Sequence, residues 1–238
     1  MINYFIFNGQ SSDVFGMVIS GSGTYNAPKR KYDTFTVPGR NGTLKIDGRS
    51  FENISVTYTA AIVHNLNSNA SAMREWLLSP AGYCRLEDTY HPGEFRLAQF
   101  SGGIDFSDFS QFLRAASFKL TFDCKPQRFL KAGQNPIYNP ATVYNPTSFD
   151  AKPLIKFTAT ATSGNVAIGN CTIALDGLTV GDTIIIDAET MDAINQSGDN
   201  ANSSVTISGD LVLLPQAFSA VSSEGVSDLT ITPRWWTL

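Results

Sequence analysis

The chain has 238 residues, 17 Lys+Arg against 21 Asp+Glu, and a formal charge of -4 at pH 7 with a pI near 5.1. The broad positive field needed for non-specific nucleic-acid binding is therefore missing, and no specific nucleic-acid readout is expected. Charged residues make up 16% of the chain, below the roughly 25% of an average domain. Ser, Thr and Asn take their place, while 42% hydrophobic content is enough to pack a core and excludes a disordered chain.

Charge is divided unevenly. Residues 1–150 carry 14 Lys+Arg and 12 Asp+Glu, a net +2, whereas 151–238 carry 3 and 9, a net -6. Such a break suggests two units with different surfaces. No run of about 18 apolar residues exists, so no membrane span is expected. The opening Met1-Ile2-Asn3-Tyr4-Phe5 lacks the pattern of a secretory leader. Cys84, Cys124 and Cys171 are odd in number and widely spaced, which reads as reduced core thiols rather than a zinc site or a disulfide frame. A reducing cytosol is the expected place of synthesis.

In chain order, the first strong signal is a hairpin. Tyr32 to Val37 and Gly42 to Asp47 flank Pro38-Gly39-Arg40-Asn41-Gly42, where Pro presets a turn and Gly and Asn tolerate positive φ. Asn53 to Ile62 alternates, with Ile54, Val56 and Tyr58 on one face, and reads as a strand. One helix is predicted over Asn69 to Leu78, capped by Ser68 or Asn69, with Met73, Trp76 and Leu77 forming its apolar face. Tyr83 to Asp88 and Glu94 to Phe100 alternate around the turn Tyr90-His91-Pro92-Gly93, a second hairpin that could project from the body. Ala116, Phe118, Leu120, Phe122 and Cys124 give the cleanest half-buried strand.

Asn-Pro steps at 135–136, 139–140 and 145–146 read as an extended, semi-rigid linker. Beyond Pro153, short runs (Leu154 to Thr162, Cys171 to Leu175, Thr183 to Asp187, Ser204 to Ser208, Leu229 to Thr232) separated by Asp-Gly and Gly-Asp turns predict an all-β sandwich. The expected organisation is a β domain over 1–130, a Pro-rich linker over 131–152 and a β-sandwich over 153–238.

Catalytic chemistry is sparse. His64 and His91 stand alone, and no phosphate-binding glycine loop or nucleophile elbow occurs, so neither a nucleotide cofactor nor a serine nucleophile is expected. Glu87, Asp88 and His91 could approach as metal ligands but read better as a solvated turn. Asp187 and Glu189, two apart at a strand end, would face the same side as a carboxylate pair for glycoside hydrolysis but read better as a turn and its solvent face. No enzyme activity, metal or cofactor is expected. Tyr138, Tyr144, Trp235 and Trp236 offer flat amphipathic rings for a sugar or a protein partner, so a carbohydrate-binding module aiding adsorption to a host cell wall is the alternative function.

Phe7 to Gly16, Val37 to Gly42, Phe122 to Phe129, Tyr144 to Ile155, Ile186 to Glu189 and Ile231 to Trp236 together resemble a family, the distal tail (Dit) proteins of long, flexible-tailed bacteriophages. Phe7 to Gly16 resembles the family's opening strand, and Val37-Pro38-Gly39-Arg40-Asn41-Gly42 its VPGR-[ND]-G hairpin. Phe122 to Phe129 resembles the close of the N-terminal domain. Tyr144-Asn145-Pro146-Thr147 through Pro153-Leu154-Ile155 resembles the start of the C-terminal one. Ile186-Asp187-Ala188-Glu189 and Ile231-Thr232-Pro233-Arg234-Trp235-Trp236 resemble its D-[SA]-E and PRWW-like segments. The C-terminal half is compact, without room for large carbohydrate-binding insertions.

The resemblance implies an N-terminal β-sandwich with one helix and a projecting hairpin, followed by a galectin-like C-terminal β-sandwich. It implies a homo-hexameric ring in the virion at the distal end of the tail, assembled in the host cytoplasm, with DNA passing through its lumen. The ring would join the tail tube protein to the tail-associated lysin or baseplate hub and hold receptor-binding proteins. Subunit or tube contacts are expected from Pro38 to Gly42 and from Tyr90, His91, Pro92 and Gly93, and sugar or partner contacts from Trp235 and Trp236.

Overall fold

The computed structural model describes residues 2–21, 24–106 and 115–238, together with the backbone of 108–110. The chain divides into two compact units, Met1–Arg128 (with Leu238) and Phe129–Thr237. The first contains β1 (Phe5–Phe7), β2 (Gln10–Ser11), β3 (Met17–Ser20), β4 (Arg30–Thr36), β5 (Thr43–Phe51), β6 (Ile54–Ile62), α1 (Leu66–Leu78), β7 (Cys84–Asp88), β8 (Glu94–Phe100), β9 (Asp108–Ser110) and most of β10 (Ala115–Leu130). Its sheet runs β2-β1-β7-β8-β10-β6-β3, with β9 added on β10.

The alternation read from sequence sets the register. β6 and β10 pair antiparallel from Ile54↔Cys124 to Ile62↔Ala116 without a break, so Val56, Tyr58, Phe118, Leu120 and Phe122 all point into the core. Phe122 sits at the centre of an aromatic cluster, with ring centroids 5.5 Å from Phe5, 5.2 Å from Phe7 and 5.4 Å from Phe100. Trp76 of α1 stacks on Phe5 at 5.5 Å and on Phe15 at 4.9 Å, and its Nε1–H donates to the Phe7 carbonyl. The helix is thereby fixed to the sheet by one amphipathic side chain.

The helix begins three residues earlier than the cap residues suggested. Ser68 and Asn69 lie inside its first turn, where Ser68 Oγ donates to the Asn65 carbonyl and Asn69 Nδ2 to the His64 carbonyl. Asn65, at φ 51°, is the residue that turns the chain into the helix. Leu66 and Ala70 extend the apolar face already formed by Met73, Trp76 and Leu77.

In the second unit β11 (Ile137–Tyr138), β12 (Thr142–Tyr144), β13 (Leu154–Ala159), β14 (Ser163–Ile168), β15 (Cys171–Asp176), β16 (Thr183–Asp187), β17 (Asp192–Asn195), β18 (Val205–Ser208), β19 (Phe218–Glu224), β20 (Val226–Thr232) and β21 (Trp236–Thr237) follow. β11 to β20 form two five-stranded sheets, β11-β20-β13-β16-β17 and β12-β19-β14-β15-β18, while β21 pairs with β10. One core lies between them, built from Phe157, Ile155, Val166, Ile173, Ile186 and Ile231 among others.

Residues 131–152 are not a linker. They supply β11 and β12, each hydrogen-bonded at the edge of one sheet, and Val143, Asn145 and Ala151 are buried. The prolines that suggested a linker do force extended backbone, but extended backbone lacking donors is also what a sheet edge accommodates. Asn145 is held inside by its own hydrogen bonds, Nδ2 donating to the Phe149 and Leu213 carbonyls and Oδ1 accepting from Thr147.

Removing the Phe122 ring leaves a cavity facing Phe5, Phe7, Tyr58 and Phe100, so Phe122→Ala is expected to cost about 3–5 kcal/mol. A shift of the urea midpoint with an unchanged slope would measure it.

Candidate interaction surfaces

β4 and β5 form a two-stranded arm outside the main sheet. Every residue from Lys31 to Ser50 is exposed. At the tip, Val37 accepts a hydrogen bond from the Arg40 N–H, and Gly39 takes φ 77°, the positive angle a turn with Pro38 at its first corner requires. Pro38, Gly39, Arg40, Asn41 and Gly42 are thus the distal end of the arm.

The arm has two unlike faces. Opposed residues in an antiparallel ladder share a side, and the register pairs Asp33↔Ile46 and Phe35↔Leu44 on one, Tyr32↔Asp47 and Thr34↔Lys45 on the other. The second face is polar and satisfied internally: Arg30 pairs with Asp47, the backbone N–H of Arg49 and the Arg30 guanidinium hold the Asp47 carboxyl below the usual carboxylate range, and Lys45 lies 5.6 Å from the Tyr32 ring centroid. The first face is apolar towards the tip, with Phe35 and Ile46 each 51% exposed beside Leu44 and Val37. The signal was legible in Phe35-Thr36-Val37 and Leu44-Lys45-Ile46, whose alternation carries an apolar side with no core to receive it.

The second predicted hairpin is held differently. Pro92 and Gly93 are exposed, but Tyr90 and His91 turn inward. Tyr90 Oη accepts from the Gly21 N–H at 2.9 Å and donates to the Ile19 carbonyl at 3.3 Å. Asp88 Oδ1 accepts from the backbone N–H groups of Tyr90 and His91, both at 2.9 Å, and lies 3.1 Å from His91 Nδ1. Its other oxygen accepts from Tyr58 Oη at 2.7 Å. Burial first, and Asp88 second, push the Tyr58 hydroxyl well above its ordinary pKa. Asp88 and His91 therefore do come together, as the brace of a turn rather than as open metal ligands.

Sequence reasoning missed the groups around this brace. Arg96, 8% exposed, and Arg128 line the same small cavity as Tyr58, Asp88, His91 and Glu94. Arg128 pairs with Glu94 at 3.4 Å and donates to the Thr24 carbonyl at 3.0 Å. Burial lowers the pKa of Arg96, with the neighbouring Arg128 adding to it. The only sequence signal was charge at inward positions of otherwise apolar alternation, Asp88 in β7 and Arg96 in β8.

The remaining candidates lie in the second unit. Arg234 grips Asp187 with two hydrogen bonds of 2.7 and 3.0 Å, and Glu189 lies 3.6 Å from Lys152. Burial raises the Asp187 carboxyl, but the Arg234 hydrogen bond, the Glu189 N–H and the Arg234 charge outweigh it, and the net shift is downward. The two acids are thus each committed to a cation. Trp236 stacks on Phe149 at 4.3 Å and donates from Nε1 to the Asp150 carbonyl, while Trp235 packs against the second core. Both rings are half-buried.

No family model matches the chain, and no curated protein does. Among solved structures the fold is similar to the crystal structure of SPP1 Dit (gp 19.1), described as a paradigm of the hub adsorption apparatus in Gram-positive infecting phages. The TM-score is 0.77 at 12% identity, covering 100% of both chains. At that identity the likeness is one of fold, and it extends through both units.

Two predictions follow from these contacts. Because the folded Asp187 pKa lies below its unfolded value, near 3.9, its stabilising contribution is present above that pH and fades as pH falls through the folded value. Denaturant midpoints measured between about pH 6 and 3 should drop less steeply in Arg234→Ala than in the parent. In Gly21→Ala the new methyl would collide with the Tyr90 ring, and calorimetry should find a loss of about 1–3 kcal/mol.

Proposed function

We propose that the chain is a structural component of a phage tail tip, a distal tail protein whose copies close into a hexameric ring. The observation that carries the proposal is the likeness of fold to SPP1 Dit over the full length of both chains, joined by the sequence segments that resemble the same family. In this reading the first unit forms the ring and the second, galectin-like unit lies outside it. The ring joins the tail tube to the tail-associated lysin or baseplate hub, receptor-binding proteins attach to it, and DNA passes through its lumen. Assembly takes place in the host cytoplasm and the finished protein resides at the distal end of the tail.

The arm supplies the physical means. A ring requires a patch on each subunit that meets a different patch on the next. An isolated two-stranded hairpin is marginal in water, and this one holds out Phe35, Val37, Leu44 and Ile46 on one side. Laid against a neighbouring copy, those side chains leave water and the arm gains the packing partner it lacks. Arg40 and Asn41 at the tip, together with Pro92 and Gly93 of the shorter turn, are then placed for subunit or tube contacts. The function is mechanical: ion pairs brace turns and chain ends, and a near-neutral first unit presents DNA with few phosphate-binding charges.

The test is electron cryomicroscopy of assembled tails together with native mass spectrometry of the chain. The expected results are a six-fold ring at the tail tip and its loss in the double variant Phe35→Asp, Ile46→Asp, with the circular dichroism of the monomer unchanged. A tail tip lacking a six-fold ring of this chain would overturn the proposal.

A further inference from the structure

The cavity beside the turn between β7 and β8 is lined by Tyr58, Asp88, His91, Glu94, Arg96 and Arg128. Four buried nitrogens of that lining, Nη1 and Nη2 of Arg96, Nε of Arg128 and Nε2 of His91, have no hydrogen-bond partner among the described residues. Arg96 is 8% exposed. Its guanidinium cannot shed its proton, and a buried charge is costly unless it is paired.

The carboxylates nearby are already engaged. Asp88 takes the Tyr58 hydroxyl on one oxygen and the backbone N–H groups of Tyr90 and His91 on the other. Glu94 pairs with Arg128 Nη1 at 3.4 Å, and Glu87 pairs with Arg85 at 2.5 Å. Arg128 also gives Nη2 to the Thr24 carbonyl, so Nε is the donor it has left. The two guanidiniums repel, and Arg128 adds to burial in lowering the Arg96 pKa.

We propose that the cavity binds a chloride ion, held by Nη1 and Nη2 of Arg96 and Nε of Arg128. The unpartnered groups on both arginines are donors with no acceptor capacity, so the occupant must accept from all of them. A water would answer the donors but not the charge. His91 does not oppose an anion here. Its Nδ1 lies 3.1 Å from Asp88 Oδ1, a carboxylate oxygen that only accepts, so Nδ1 carries the proton and Nε2 can accept from a further Nη–H of Arg96. Size narrows the class. At about 20 Å³ the cavity admits one water-sized sphere, which suits a monatomic anion and is too small for a carboxylate, sulfate or phosphate group. The ion joins β8, through Arg96, to the end of β10, through Arg128, beside the turn that carries Pro92 and Gly93. A chain that forms no ring carries the same site.

The test uses halides as probes on the full chain. Crystals grown in sodium bromide should show an anomalous peak in contact with Arg96 Nη1 and Nη2 and Arg128 Nε. The melting temperature should be a few degrees higher in sodium chloride than in sodium methanesulfonate of equal ionic strength, since methanesulfonate is too large to enter. Arg96→Met should abolish that difference, and Arg128→Gln, which keeps part of the lining, should do so if Arg96→Met does not fold. A cavity without a bromide peak, a peak confined to the outer surface, equal melting temperatures of the parent in the two salts, or a chloride preference that persists in the variants would each overturn the proposal.

Discussion

The first unit depends on the unbroken ladder between β6 and β10. Nine residue pairs in one register place Tyr58, Phe118, Leu120 and Phe122 on the same side, and a slip of one residue would turn that whole set outward. The helix, the opening strand and the neighbouring β7–β8 pair all pack on what this ladder presents. Trp76 can stack on Phe5 because Phe5 itself lies on Tyr58, 5.3 Å away and nearly parallel.

At one end of that ladder the inward face changes character. Asp88, Arg96, Glu94 and Arg128 occupy positions that continue the alternation of apolar residues, and the turn between β7 and β8 is drawn in over them by Tyr90 and His91. Three donors on Asp88 favour one seating of the turn over others, while Arg96 Nη1 and Nη2, Arg128 Nε and His91 Nε2 are buried without a hydrogen-bond partner among the described residues. The arm is the opposite case. Its backbone register is equally definite, yet it has no core of its own, and its definition comes from Arg30, Asp47, Lys45 and Tyr32 on the polar side.

What could be read from the residues followed from period. Ala116 to Cys124 and Ile54 to Ile62 alternate and are strands, and the β-branched run Ile184-Ile185-Ile186 is one too; Pro38-Gly39 is a turn because Pro presets its first corner and Gly accepts the positive φ of the second. The fold class and the hairpin arm were legible for that reason. β14 and β19 escaped because Ser163-Gly164-Asn165 and Ser222-Ser223 are too polar to mark a buried face, and β11 and β12 escaped because Pro136, Pro140 and Pro146 flank strands too short to show an alternation. The groups around the turn between β7 and β8 were missed for a different cause. Tyr58, Asp88, Arg96 and Arg128 are scattered through the sequence and meet only after four strands have been ordered.

The three cysteines carry a last consequence. None is bridged, Cys124 and Cys171 are buried, and burial pushes the Cys124 thiol up to about 12, far from the thiolate form that attacks or is oxidised. No step in reaching the native state waits on an oxidant, and no bond is there for glutathione to cut. No disulfide among the three has to be made or broken when the surrounding redox potential changes, so the covalent structure is the same on either side of such a change.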